Sequence, residues 1–192
     1  MRYGTLIIAS AAALALAGCG SKTKTTSVDN TTIVSSETGT TNTAIPASVP
    51  LSPGQTFANA AASSDAFEIA TSRLAQTAST SAAIKAFAGR MIEAHTGSTE
   101  KLKAAGAAAS PAITPDPTLT TEQQSALDSL KSKTGADFDA AYKAAQVDGH
   151  QKTLDAIKAY AASGTVPQLK TFAAGLVPTV TAHLNMAKGL KA

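Results

Sequence analysis

An alternation of threes and fours runs through Ile84–Ala105, and no other stretch restricts the fold as tightly. Ile84, Ala88, Met91, Ser98, Leu102 and Ala105 lie on one face of a helix, with His95 set among them. A face that is apolar along its length must be buried against other helices. The single imidazole on it needs a chemical reason.

The flanking segments supply partners for that face. Ser52-Pro53-Gly54 offers a cap and a helix-compatible proline, and a helical pattern follows from Thr56 to Ala78, with Phe57, Ala61, Ser64, Glu68, Thr71, Ala75 and Ala78 on one stripe. Ser79-Thr80-Ser81 is a short turn with several caps, so the next helix, Ala82 to Ala108, is expected to run antiparallel to the first. Three prolines between Ser110 and Pro117 impose a long connection. Thr120 with Gln123 then reads as a capping box for a short helix to Lys133, after which Gly135 breaks the chain. A third long helix, Ala136 to Ala162, carries Val147, His150, Leu154, Ile157 and Ala161 at the same spacing. Val166-Pro167 opens the last, which places Leu169, Phe172, Leu176, Val180, His183, Ala187 and Leu190 on one stripe to Leu190. Pro178 removes a backbone donor inside it, and a kink between Ala174 and Pro178 is expected. The fold class is therefore all-α, a four-helix bundle with one long crossover connection carrying a short helix.

Residues 1–18 combine a basic start at Arg2, an apolar run from Leu6 to Ala17 and small residues before Cys19. This reads as a cleaved secretion signal, because the run is shorter than the roughly 20 residues that cross a bilayer. Leu16-Ala17-Gly18-Cys19 resembles the lipobox of bacterial lipoproteins, which implies that Cys19 is diacylated and becomes the mature amino terminus. Gly20 stands where aspartate would retain such a protein in the inner membrane, so the resemblance favours the periplasmic face of the outer membrane. Cys19 is the only cysteine, which excludes an intramolecular disulfide. Residues 19–55 are rich in Ser, Thr and Asn with no apolar periodicity, the composition of a lipid-anchored flexible linker spanning roughly 30 to 36 Å. Residues 56–192 form the bundle domain.

Each of the last three long helices carries one histidine on its apolar stripe, and His95, His150 and His183 are the only histidines present. The first helix carries Glu68 near its own stripe. Counting outward from the two short turns at 1.5 Å per residue brings all four near mid-height of the bundle. Three imidazoles and a carboxylate suit zinc, iron or another divalent transition ion. The alternative is that each histidine is hydrogen-bonded in the core to a neighbour such as Asp148, Glu93 or a carbonyl, and that Glu68 pairs with Arg73 or Lys85.

Other chemistries are disfavoured by the residues present. A di-iron centre requires Glu-x-x-His, and the positions three before each histidine are Ile92, Val147 and Val180. No Walker loop, dinucleotide fingerprint, Gly-x-Ser-x-Gly or His-Glu-x-x-His occurs, so no catalytic residue is assigned. The net charge of +3, the scattered cations and the absence of Trp disfavour nucleic acid as a partner.

Ile84-Lys85-Ala86-Phe87-Ala88 through Met91 to His95, then Asp148-Gly149-His150-Gln151-Lys152, and finally Leu169 to Phe172 with His183-Leu184, are similar to the signature blocks of bacterial envelope proteins in domain-of-unknown-function family 4142. The resemblance covers roughly Thr56 to Leu190 and implies an exported, ferritin-like four-helix fold with no established activity. The family's histidines fall on His95, His150 and His183, whereas the acidic residue that often precedes the last of them is replaced by Ala182. The expected function is a non-catalytic envelope lipoprotein with a binding or structural role. Its alternatives are a periplasmic metal-binding or metal-buffering protein using the histidine cluster, and an enzyme marked by a water-filled cleft that reaches the histidines.

Overall fold

The computed structural model describes residues 50–191, which form five helices and, among the described residues, no strand. The leader, Cys19 and the linker up to residue 49 lie outside the described residues. The helices are α1 (Pro53–Ala78), α2 (Ala82–Ala107), α3 (Thr121–Lys131), α4 (Gly135–Ser163) and α5 (Pro167–Gly189). None of them is long and apolar enough to cross a membrane.

Local chemistry sets these boundaries. α1 begins three residues ahead of the expected Thr56 because the Ser52 hydroxyl accepts from the Gln55 amide at 3.1 Å and Pro53 fills a first-turn position that needs no donor. Ser81 caps α2 in the same way through the Ile84 amide. Both halves of the capping box form at α3, with the Thr120 amide donating to Gln123 Oε1 at 2.9 Å and the Gln123 amide donating to Thr120 Oγ1 at 3.2 Å. Gly135 takes a positive φ of 58° where α4 begins, a conformation that a side chain would strain. α5 continues as one helix through Pro178 despite the lost donor.

α1 packs along α2, and α4 along α5; α1 also lies against α4, and α2 against α5. The four long helices thus close a ring, a helical bundle with α3 leaning on α1 and α4. Two apolar clusters fill it. One gathers Phe57, Leu102, Ile157, Tyr160, Leu169 and Phe172, with the Phe57 and Tyr160 rings stacked at 3.9 Å. The other gathers Ile84, Phe87, Met91, Leu130, Phe138 and Tyr142. On α1, α2 and α4 the sequence between the two clusters is polar and buried: Asp65 and Glu68, His95, and Gln146 and His150. His183 joins this layer from α5.

Candidate metal centre

The heptad-like face of α2 fixes His95 one turn past Met91, and the corresponding faces of α4 and α5 carry His150 and His183 inward. Their ring centroids form a near-equilateral triangle of 5.6, 5.8 and 5.5 Å. One nitrogen from each ring lies within 4.8 Å of the other two. A point inside such a triangle lies within about 2.8 Å of all three nitrogens, so shifts of under about 1 Å would reach the 2.0–2.1 Å bonds of zinc to imidazole.

Two of the three tautomers are set by partners. His95 Nδ1 donates to Asp65 Oδ1 at 2.7 Å, leaving Nε2 buried without a hydrogen-bond partner. His150 Nδ1 donates to the Gln146 carbonyl at 2.8 Å, again leaving a buried, partnerless Nε2. On His183 the partnerless buried atom is Nδ1. A carboxylate or carbonyl behind a histidine, with the opposite nitrogen bare, is the arrangement that orients imidazoles toward a metal. Buried nitrogens without partners are costly, and packing alone does not explain one on each of three neighbouring rings.

Glu68 stands beside this triangle, with Oε1 3.6 Å from His150 Nδ1 and Oε2 without a partner. The three imidazoles expected from the sequence therefore converge, and Glu68 approaches His150 from its carbonyl-bonded side. The side-chain pairings differ from the alternatives raised by the sequence: His95 bonds Asp65, not Glu93, and Glu68 lies against His150, not Arg73 or Lys85. Gly149 makes room for it, since a Cβ there would stand 3.0 Å from Glu68 Oε1.

Burial dominates the electrostatics. It raises the Glu68 carboxyl to about 7, with the His95 charge and the Gln146 amide pulling back. His95 is also buried, which lowers its pKa, but the Asp65 hydrogen bond and the Glu68 and Asp65 charges outweigh that and the net shift is upward. His150 and His183 both fall to about 4 through burial, reinforced by the His95 charge. Two rings are thus neutral at pH 7, the form in which imidazole binds metal.

Asp65 and Gln146 escaped the sequence reading. A signal for Asp65 was available: it lies fifteen residues before Thr80 and His95 fifteen after, so the turn-counting that placed Glu68 a few ångströms off level sets Asp65 opposite His95. Gln146 contributes a backbone carbonyl, which side-chain spacing does not reveal. A cleft of about 350 Å³ between α1, α3 and α4 reaches Asp65 and Glu68, and no histidine lines it.

The profile of the family described as Domain of unknown function (DUF4142) matches residues 40–190. The chain belongs to that family. Comparison with curated proteins and with solved structures yields no significant match. The resemblance blocks of this DUF4142 chain now have places: Phe87 and Met91 build one apolar cluster, and His95 and His150 face each other in the polar layer. In the Asp148-Gly149-His150-Gln151-Lys152 block, Lys152 bridges Asp148 at 3.0 Å and Glu122 of α3 at 2.7 Å.

Proposed function

We propose that this domain binds one divalent transition ion, zinc first among them, through His95, His150 and His183. The observation that carries the proposal is that His95, His150 and His183 are buried, bring one ring nitrogen each within 4.8 Å of one another, and each keep a buried ring nitrogen without a hydrogen-bond partner. Three imidazole nitrogens satisfy most of a tetrahedral shell, leaving the fourth position to a water, since Glu68 lies on the Nδ1 side of His150. Asp65 would hold His95 in its ligating tautomer and raise its basicity. The absence of a histidine from the lining of the cleft favours holding the ion over exposing it to a substrate, and so a binding or buffering role over catalysis. We further propose that the bundle is ferritin-like in its four-helix arrangement and is carried on a linker from a lipidated Cys19, facing the periplasm from the outer membrane. The lipobox resemblance supports that address, and palmitate labelling lost in Cys19→Ala tests it.

Titration of the chelator-stripped protein with zinc tests the metal reading. One ion per chain is expected, and a hundredfold excess over the dissociation constant should add about 2.7 kcal/mol of stability, several degrees for a domain of this size. His95→Ala, His150→Ala and His183→Ala should each lose stoichiometric binding. Retention of binding in all three would sink the proposal.

A further inference from the structure

The cleft between α1, α3 and α4 is lined by no histidine and has its own chemistry, although it shares Asp65 and Glu68 with the polar layer. Phe57, Phe67, Ala126, Ala145, Ile157 and Leu176 give it apolar walls. Its charged groups are concentrated at two places. Asp65 and Glu68 are buried side chains of α1, and Glu122, Asp148 and Lys152 are exposed. Lys152 is the only cation among the lining residues, and it is already engaged by Glu122 and Asp148. Asp65 is likewise engaged, through His95 and the Thr99 hydroxyl. Glu68 is engaged only in part: Oε1 lies 3.6 Å from His150 Nδ1, whereas Oε2, on a side chain 3% exposed, has no hydrogen-bond partner. Gly149 lines the same cleft, and a Cβ there would stand 3.0 Å from Glu68 Oε1.

Apolar walls around a few polar groups, in a volume of a few hundred cubic ångströms, are the features of a small-molecule site. We propose that this cleft binds a small organic ammonium ion, its alkyl part against the apolar walls and its ammonium on the Glu68 carboxylate. The sign of the charge follows from the lining, in which four carboxylates face one engaged lysine. A carboxylate with an unused oxygen in a desolvated setting gains most from a donor that is itself charged. Apolar walls favour an alkylammonium over a bare or hydrated metal ion, which would lose its water shell against carbon.

The test uses the purified full chain at about pH 8, above the value of about 7 at which the Glu68 carboxyl ionises, with metal removed by chelator, so that its result stands apart from the zinc titration. Hexylammonium and its neutral counterpart hexanol are titrated by calorimetry, followed by the propyl to pentyl ammonium homologues. Saturable one-site binding of hexylammonium is expected, tighter than that of hexanol by tenfold or more, with each methylene tightening binding about two- to fourfold. Glu68→Gln should erase the preference for the ammonium and leave hexanol unchanged. Ala126→Trp, on the partly exposed face of α3, should block both ligands without lowering the thermal midpoint. Equal affinities for the ammonium and the alcohol would overturn the proposal, as would failure of hexylammonium to saturate, or full hexylammonium affinity in a folded Glu68→Gln variant.

Discussion

At His95 the ring is gripped on one side and bare on the other, and that asymmetry generates the testable chemistry of the site. Asp65→Asn keeps the shape but exchanges a charged acceptor for a neutral one. Zinc affinity should fall roughly 10- to 100-fold by calorimetry, the usual effect of losing a carboxylate behind a ligating histidine. An unchanged affinity would remove Asp65 from the account. Acid stability follows from the same residues. His150 and His183 have folded pKa values of about 4 against an ordinary 6.5, so folding favours their neutral forms. Their contribution is complete above pH 6.5 and is lost as pH falls toward 4. Glu68 acts in the opposite sense: at about 7 against 4.5, its contribution is complete below pH 4.5 and is lost as pH rises toward 7. His95, shifted upward, contributes fully below 6.5 and loses that contribution as pH rises through its folded value. Two imidazoles outweigh one carboxyl, so the metal-free protein should lose stability between pH 6.5 and 4.5. Glu68→Gln removes the opposing slope and should steepen that loss by up to about 1.4 kcal/mol per pH unit in denaturant titrations. A shallower curve in the variant would contradict the assignment. The three histidines were legible because each interrupts an apolar stripe. Asp65 was harder to see, because it lies just off the α1 stripe that had been counted, although it is 5% exposed in the fold.

Among the elements, the helices were the most readable part of the chain, since burial of one face writes a 3.6-residue period into the sequence. Every expected α2 position from Ile84 to Leu102 is buried, His95 included. Ends were less exact. α1 gained a turn from Ser52 and Pro53, and α3 stops at Lys131, two residues before the expected Lys133. The connection after α2 was legible only as a break. Its geometry depends on Gly106, whose carbonyl accepts from the Ala109 and Ile113 amides at 3.1 and 2.9 Å. A Cβ at this position would stand 2.3 Å from the Ile113 carbonyl oxygen, backbone that has no room to move aside. Gly106→Ala should therefore destabilise the protein by about 2 kcal/mol or more, against the roughly 1 kcal/mol that alanine gains over glycine in an open helix. A midpoint raised in thermal denaturation would show that the crossover yields freely.

Across the whole molecule, a layer of Asp65, Glu68, His95, His150 and His183 separates two apolar clusters. Such a layer costs stability that apolar residues of similar volume would not, because buried polar atoms without partners forfeit their hydration. Its presence marks function in preference to stability. His150→Leu with His183→Leu replaces the two neutral imidazoles while leaving the Asp65–His95 pair intact. In metal-free buffer this double variant should be more stable than the wild type by about 2 kcal/mol, since each partnerless buried group costs about 1–3 kcal/mol, and zinc should no longer raise its midpoint. A less stable variant would mean that the histidines are packing residues. Convergence of the three rings at one level could be foreseen from turn-counting. Which nitrogen each presents could not, because that depends on the Asp65 carboxylate and the Gln146 carbonyl behind the rings. X-ray absorption at the zinc edge, on protein loaded with one equivalent, addresses the claim most directly. The account predicts three imidazole nitrogens at about 2.0–2.1 Å with one further light ligand; a shell of oxygens, or no imidazole scattering, would contradict it.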